Sequence, residues 1–204
     1  VTLNTSISSS NDAMVFGAIT LGNNVTLDTN ATSTTGDLTL GVVTGGSNTL
    51  TLSTGNNVAN TDITASGAIS GVSILTLQNV GGTATLSGDV DVNTLSVNNT
   101  VANVALNGNG SSVANAVNFQ NDGTLQLGDA SGDTLTFNNG LITTSVGGTV
   151  TLNGTIATSN GGVVLGAVTL GSATTIDTNA SSNSADITVA AITGGSNNLT
   201  LSTG

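Results

Sequence analysis

Apolar and polar residues alternate in short bursts along the whole chain, and the bursts are separated by turn-forming residues. LTL occurs at 38–40, 50–52 and 75–77, and related triplets are DIT at 62–64, ATL at 84–86 and LSV at 95–97. The series continues as LQL at 125–127, LTF at 135–137 and VTL at 150–152, with Gly, Asn, Ser or Asp between the triplets. Period-two alternation is the signature of a half-buried strand. Leu50 and Leu52 should therefore face one way and Thr49, Thr51 and Ser53 the other. In the same way Leu135 and Phe137 should point inward while Thr134 and Thr136 point outward. No 3.6-residue apolar stripe appears, so helix is not expected. Short strands at regular spacing fit a sandwich, a barrel or a solenoid.

An internal repeat decides among these. Residues 1–55 return at 150–204, a shift of 149 positions, with 32 of 55 positions identical. VTLNTSISSSN matches VTLNGTIATSN, and TGGSNTLTLSTG matches TGGSNNLTLSTG. Long tandem repetition favours stacked coils, because each coil buries its apolar face on its neighbours. The expected fold is an all-β, right-handed parallel β-helix (a β-solenoid). Residues 1–149 should form one complete unit and 150–204 the start of the next. Two triplets per coil gives coils of about 21 residues, of which seven would fill the unit. Asn23, Asn24, Asn56 and Asn57 are expected at corners, where side-chain ladders satisfy leftover backbone groups.

Composition sharpens this picture. The chain has 37 Thr, 27 Asn and 28 Gly, and it lacks Lys, Arg, His, Cys, Pro, Trp, Tyr and Glu. Thr and Val favour strands, while Gly and Asn supply positive-φ turns. Mean hydropathy of +0.29 argues against disorder. The net charge of −11, carried entirely by Asp, excludes nucleic-acid binding, which needs cationic side chains. The apolar runs are too short for a transmembrane helix. The absence of Cys suits a chain that crosses membranes unfolded. The opening VTLNTSI carries no signal peptide, so the chain is expected to belong to something longer.

Phrases such as GDLTLGVVTGGSNTLTLSTG and ADITVAAITGGSNNLTLSTG resemble the repetitive β-helical regions of large bacterial secreted surface proteins, namely autotransporter passengers and filamentous-haemagglutinin-like adhesins. The resemblance extends over essentially the whole chain and is one of pattern. It implies an extracellular location on the outer-membrane exterior and a non-catalytic adhesin stalk. An alternative is a self-assembling repeat of a filament, sheath or surface layer. The expected partners are neighbouring repeats, copies of the chain itself, or a host or surface ligand.

Candidate chemistry is confined to carboxylates, because no His, Lys or Cys is present to act as a base. Asp89 with Asp91, and Asp129 with Asp133, are close enough in sequence to pair, and paired carboxylates can split their pKa values for acid–base work. Sugar sites of that kind also use aromatic platforms and cationic groups, so a solvated turn is the plainer reading, and no catalytic residue or cofactor is expected. The same four Asp are the calcium candidates, since hard oxygen ligands suit that ion. GGSNTLTL at 45–52 nearly imitates a calcium-binding nonapeptide, but Leu50 stands at the ligand position. Outward Thr pairs could order water as in ice-binding solenoids, although Ser, Asn, Gln126 and Asp are expected to interrupt the rows. Sequons such as Asn24-Val-Thr follow from composition alone.

Overall fold

A computed structural model of the chain describes residues 1–55, 58–181 and 185–204. All its strand pairs are parallel, and successive coils stack into a single β-solenoid. Among the described residues there is no helix, and so none long and apolar enough to cross a membrane.

Each coil contributes to three sheet faces, not two. On face one, Thr2, Thr20, Thr44, Ser70, Asp91, Ser112 and Thr136 stack in one row. On face two the inward row is Ile7, Leu27, Leu52, Leu77, Val97 and Phe119. On face three it is Met14, Leu38, Ile63, Ala84, Val104, Leu125, Val150 and Val168. Several strands missing from the sequence reading are very short, such as Val43–Thr44, Val117–Asn118 and Leu141–Ile142. Stacked partners are 18 residues apart at Thr2 and Thr20, 24 apart at Thr20 and Thr44 and 26 apart at Thr44 and Ser70, so coil length varies and often exceeds the expected 21.

Variable coil length has a consequence for the repeat. Thr2 to Thr136 along face one is six turns. The chain then passes face two at Leu141–Ile142 and reaches face three at Val150–Leu152, where Thr151 stacks on Gln126. Thr151 is the repeat counterpart of Thr2. The 149-residue unit therefore spans six and two-thirds turns instead of the expected seven, and its copy sits one face round.

The alternation is clear in strands such as Val25–Ala31 and Val80–Leu86, although Ser53, expected on the outside, is buried. Leu50, Leu52, Leu135 and Phe137 are buried in the lumen, and Thr134 is exposed. Thr49 and Thr51 are half-buried between neighbouring coils. The lumen is a continuous stack of Leu, Val, Ile and Ala. It also holds two aromatic rings, Phe119 and Phe137, whose centroids are 6.2 Å apart at 86° in an edge-to-face contact.

One corner is closed by glycines. A Cβ on Gly88 would lie 2.3 Å from the carbonyl carbon of Gly67 and 2.5 Å from the nitrogen of Ala68. Gly108 meets Gly88 in the same way, at 2.5 Å from its oxygen, and Gly67 meets the Val42 nitrogen at 2.6 Å. Backbone meets backbone there, so no side chain can swing aside. Gly88→Ala should cost about 1–3 kcal/mol as an overpacking change, read as a lower urea midpoint at unchanged slope.

Candidate functional site

The carboxylates singled out in the sequence serve mainly as acceptors for backbone amides. Asp133 is buried, and its Oδ2 accepts from the amides of Asp129 at 2.7 Å and Ala130 at 2.8 Å, closing the turn 128–133. The structure thus brings Asp129 and Asp133 together. Asp89 accepts from the amide of Gly110 in the next coil at 2.8 Å. Asp91 is exposed on face one, between Ser70 and Ser112. Asp37 and Asp62 form a short ladder, accepting from the amides of Asp62 at 2.9 Å and Thr83 at 2.7 Å. No group of three or more acidic residues converges among the described residues.

The Asp129 carboxyl is raised above its ordinary value of 3.8. Desolvation within the turn is the largest cause, followed by the charge of Asp133 and the hydrogen bond between the two side chains, while a backbone hydrogen bond opposes them. Because the folded pKa lies above the unfolded one, this group's stabilising contribution is complete below the unfolded pKa. It is lost as pH rises through the folded value. Acidification into the carboxylate range should therefore firm the 128–133 turn. A carbon-detected NMR titration should find Asp129 titrating above 3.8, and slower amide exchange of Ala130 on the acid side would report the tightening once intrinsic exchange rates are corrected for.

Asparagine carries many of the other corner bonds, and the repeat preserves that of Asn48 but replaces Asn23 and Asn24 by Ser172 and Ala173. Asn48 Nδ2 donates to the Leu21 carbonyl at 3.0 Å, and its counterpart Asn197 donates to that of Leu170 at 2.8 Å. Asn24 Oδ1 accepts from the Thr49 amide at 2.9 Å, and Asn23 Nδ2 reaches the Asn4 carbonyl at 3.3 Å. These bonds run from coil to coil as expected of a ladder. Asn56 and Asn57 lie outside the described residues. Asn121 went unnoticed in the sequence: fully buried, it donates through Nδ2 to the carbonyls of Ala102, Gly123 and Thr124. Its neighbours FQNDG look like any other turn.

Outward threonines stack more regularly than their linear spacing implies. Thr2, Thr20 and Thr44 form a row on face one, and Thr39, Thr64 and Thr85 another on face three. Thr26, Thr51 and Thr76 do the same on face two. The second unit adds Thr151, Thr169 and Thr193 on face three, and on face one Thr155, Thr175 and Thr200, which continue from Thr134 of the first unit. The rows are three or four residues long before another residue type intervenes. An open groove lined by Gly147, Gly148, Thr149, Ala167, Thr169 and Thr193 runs beside one of them and holds no ionisable side chain. The surface so built offers hydroxyls, amides and methyls at the coil spacing, with the exposed carboxylate of Asp91 among them on face one.

Comparison with protein-family models, with curated proteins and with solved structures finds no match to the chain.

Proposed function

We propose that the chain is a non-catalytic rod segment of a secreted bacterial surface protein, acting as an adhesin stalk that holds a binding region away from the cell. The observation that carries this reading is the unbroken parallel stack from Thr2 to Ser202, with every coil repeating one plan. Such a stack converts chain length into reach at about 4.8 Å per coil. The spending of carboxylates on turn amides, as at Asp133 and Asp89, supports a structural role for them. Calcium binding at Asp129 and Asp133 is not needed for this reading, since backbone amides already occupy Asp133.

A second reading is a self-assembling filament, sheath or surface layer. The observation favouring it is the pair of exposed apolar residues on face two, where Ile142 and Val164 stack. With charged residues only 5% of the chain, little opposes side-by-side packing. Negative-stain imaging of the native material distinguishes the two. The stalk reading expects single thin rods projecting from the cell surface. Ordered bundles or sheets would replace it with the second.

A further inference from the structure

We propose that the turn 143–148 and the recess on its C-terminal side form a self-complementary contact, through which two copies of the chain pair antiparallel once acid removes their charge. The shape follows from the register. Ile142 and Val150 are eight residues apart, but their stacked partners Val164 and Val168 are only four apart. The next coil also crosses from face two to face three in four residues, from Thr188 to Ile192. The lumen is filled, so the four extra residues stand outward as a ledge, with Thr144, Ser145, Gly147 and Gly148 exposed. Backbone bonds hold the ledge in place. The Val146 amide donates to the Thr143 carbonyl at 3.2 Å, and those of Gly147 and Gly148 donate to the Asn121 and Gly123 carbonyls at 2.9 Å each. Beside the ledge the pared corner leaves the open groove that Ala167 and Thr169 help to line.

Shape and charge together select a second copy as the partner. A two-fold axis across the rod sets each ledge opposite the other copy's recess, an isologous arrangement that closes at two. The contact surface is neutral, because no ionisable side chain occurs between Asp133 and Asp177. Ile142 and Val164, each 36% exposed, add apolar area to it. The charges at its border are Asp122, beneath Gly147, and Asp186, whose carbonyl accepts from the Val163 amide at 2.9 Å. Both are exposed, and the chain has no cationic side chain to pair with them. In physiological salt exposed charges act over about 8 Å, so these bordering carboxylates decide whether two copies can close. Ionised, they meet only their own kind across the contact. Protonation removes that opposition and creates no new one, since no Lys, Arg or His is there to leave the chain positive. A closed pair is distinct from the open-ended packing of the second reading, and it goes beyond the stalk reading without depending on it.

Sedimentation equilibrium of the whole chain, with circular dichroism to follow the strands, tests the contact. The mass should rise from 19.6 kDa to twice that value on acidification and return on neutralisation. Ala167→Lys places in the recess a charge that acid does not remove, and it should hold the chain at single mass. Thr20→Lys places the same charge on face one and should leave pairing intact. Asp122→Asn with Asp186→Asn should pair at neutral pH, which probes the contact without acid. A folded parent that stays single in acid overturns the inference. Equal behaviour of the two lysine variants, or growth beyond two copies, overturns it as well. The asparagine variant staying single at neutral pH does the same, and that result alone decides if acid unfolds the parent. Bundles of native material would displace the stalk reading yet leave the two-copy limit in solution intact, so the two failures are separable.

Discussion

Phe137→Ala should destabilise the solenoid by about 3–5 kcal/mol, the usual cost of emptying a buried aromatic site. Phe137 is 1% exposed and stacks on Val113 of the preceding coil. It also supplies one ring of the edge-to-face pair with Phe119, a contact worth about 0.5–1.5 kcal/mol beyond area burial. The lumen around it is bounded by hydrogen-bonded strands on three faces, so collapse into the void is restricted. Phe137→Leu should recover most of the loss. Chemical denaturation of the two variants against the parent checks this, and a loss below about 1 kcal/mol from Phe137→Ala would mean the ring is not in the core.

The second large effect tests which side of a strand is the inside. Leu50 is fully buried, stacked between Val25 and Leu75. Leu50→Asn would place an amide without partners among apolar side chains and remove packing, at a cost of about 2–5 kcal/mol. Thr51, one residue on, points away from the lumen between Thr26 and Thr76. Thr51→Asn should cost less than about 1 kcal/mol, a change of strand propensity at a partly exposed position. Thermal melts of the two variants should be widely separated. Equal losses, or a larger one from Thr51→Asn, would reverse the assignment of faces.

The inward residues of this fold were legible in the sequence because strands such as Thr49–Gly55 and Thr134–Phe137 are long enough to display an alternation. The third strand of a coil was not, because strands of two residues, such as Val43–Thr44 on face one and Leu141–Ile142 on face two, offer no alternation to see. They were absorbed into the gaps between triplets, so a two-strand coil of about the right length concealed a three-strand one. The repeat was plain from identity alone, yet its rotation depends on offsets that vary between 18 and 26 residues. Those offsets are set by corner chemistry, including the glycine stack at Gly67, Gly88 and Gly108, and only the register reveals them. The same variation hid the threonine rows, since Thr39, Thr64 and Thr85 are unevenly spaced in sequence although they adjoin in space. Asp129 and Asp133 could be paired by proximity in the chain, but that Asp133 is committed to two amides could not be read there.

The central claim is that this unit closes on six and two-thirds turns, and register trapping tests it directly. The chain has no cysteine, so introduced pairs report without background. Thr151 stacks on Gln126, within the range a disulfide can span, whereas Thr136 stacks on Ala157 and lies on another face. Gln126→Cys with Thr151→Cys should oxidise rapidly to an intramolecular disulfide in the folded chain, and Thr136→Cys with Thr151→Cys should not. The reverse pattern is what seven whole turns would give, with Thr151 returned to the row of Thr136, and it would contradict the account.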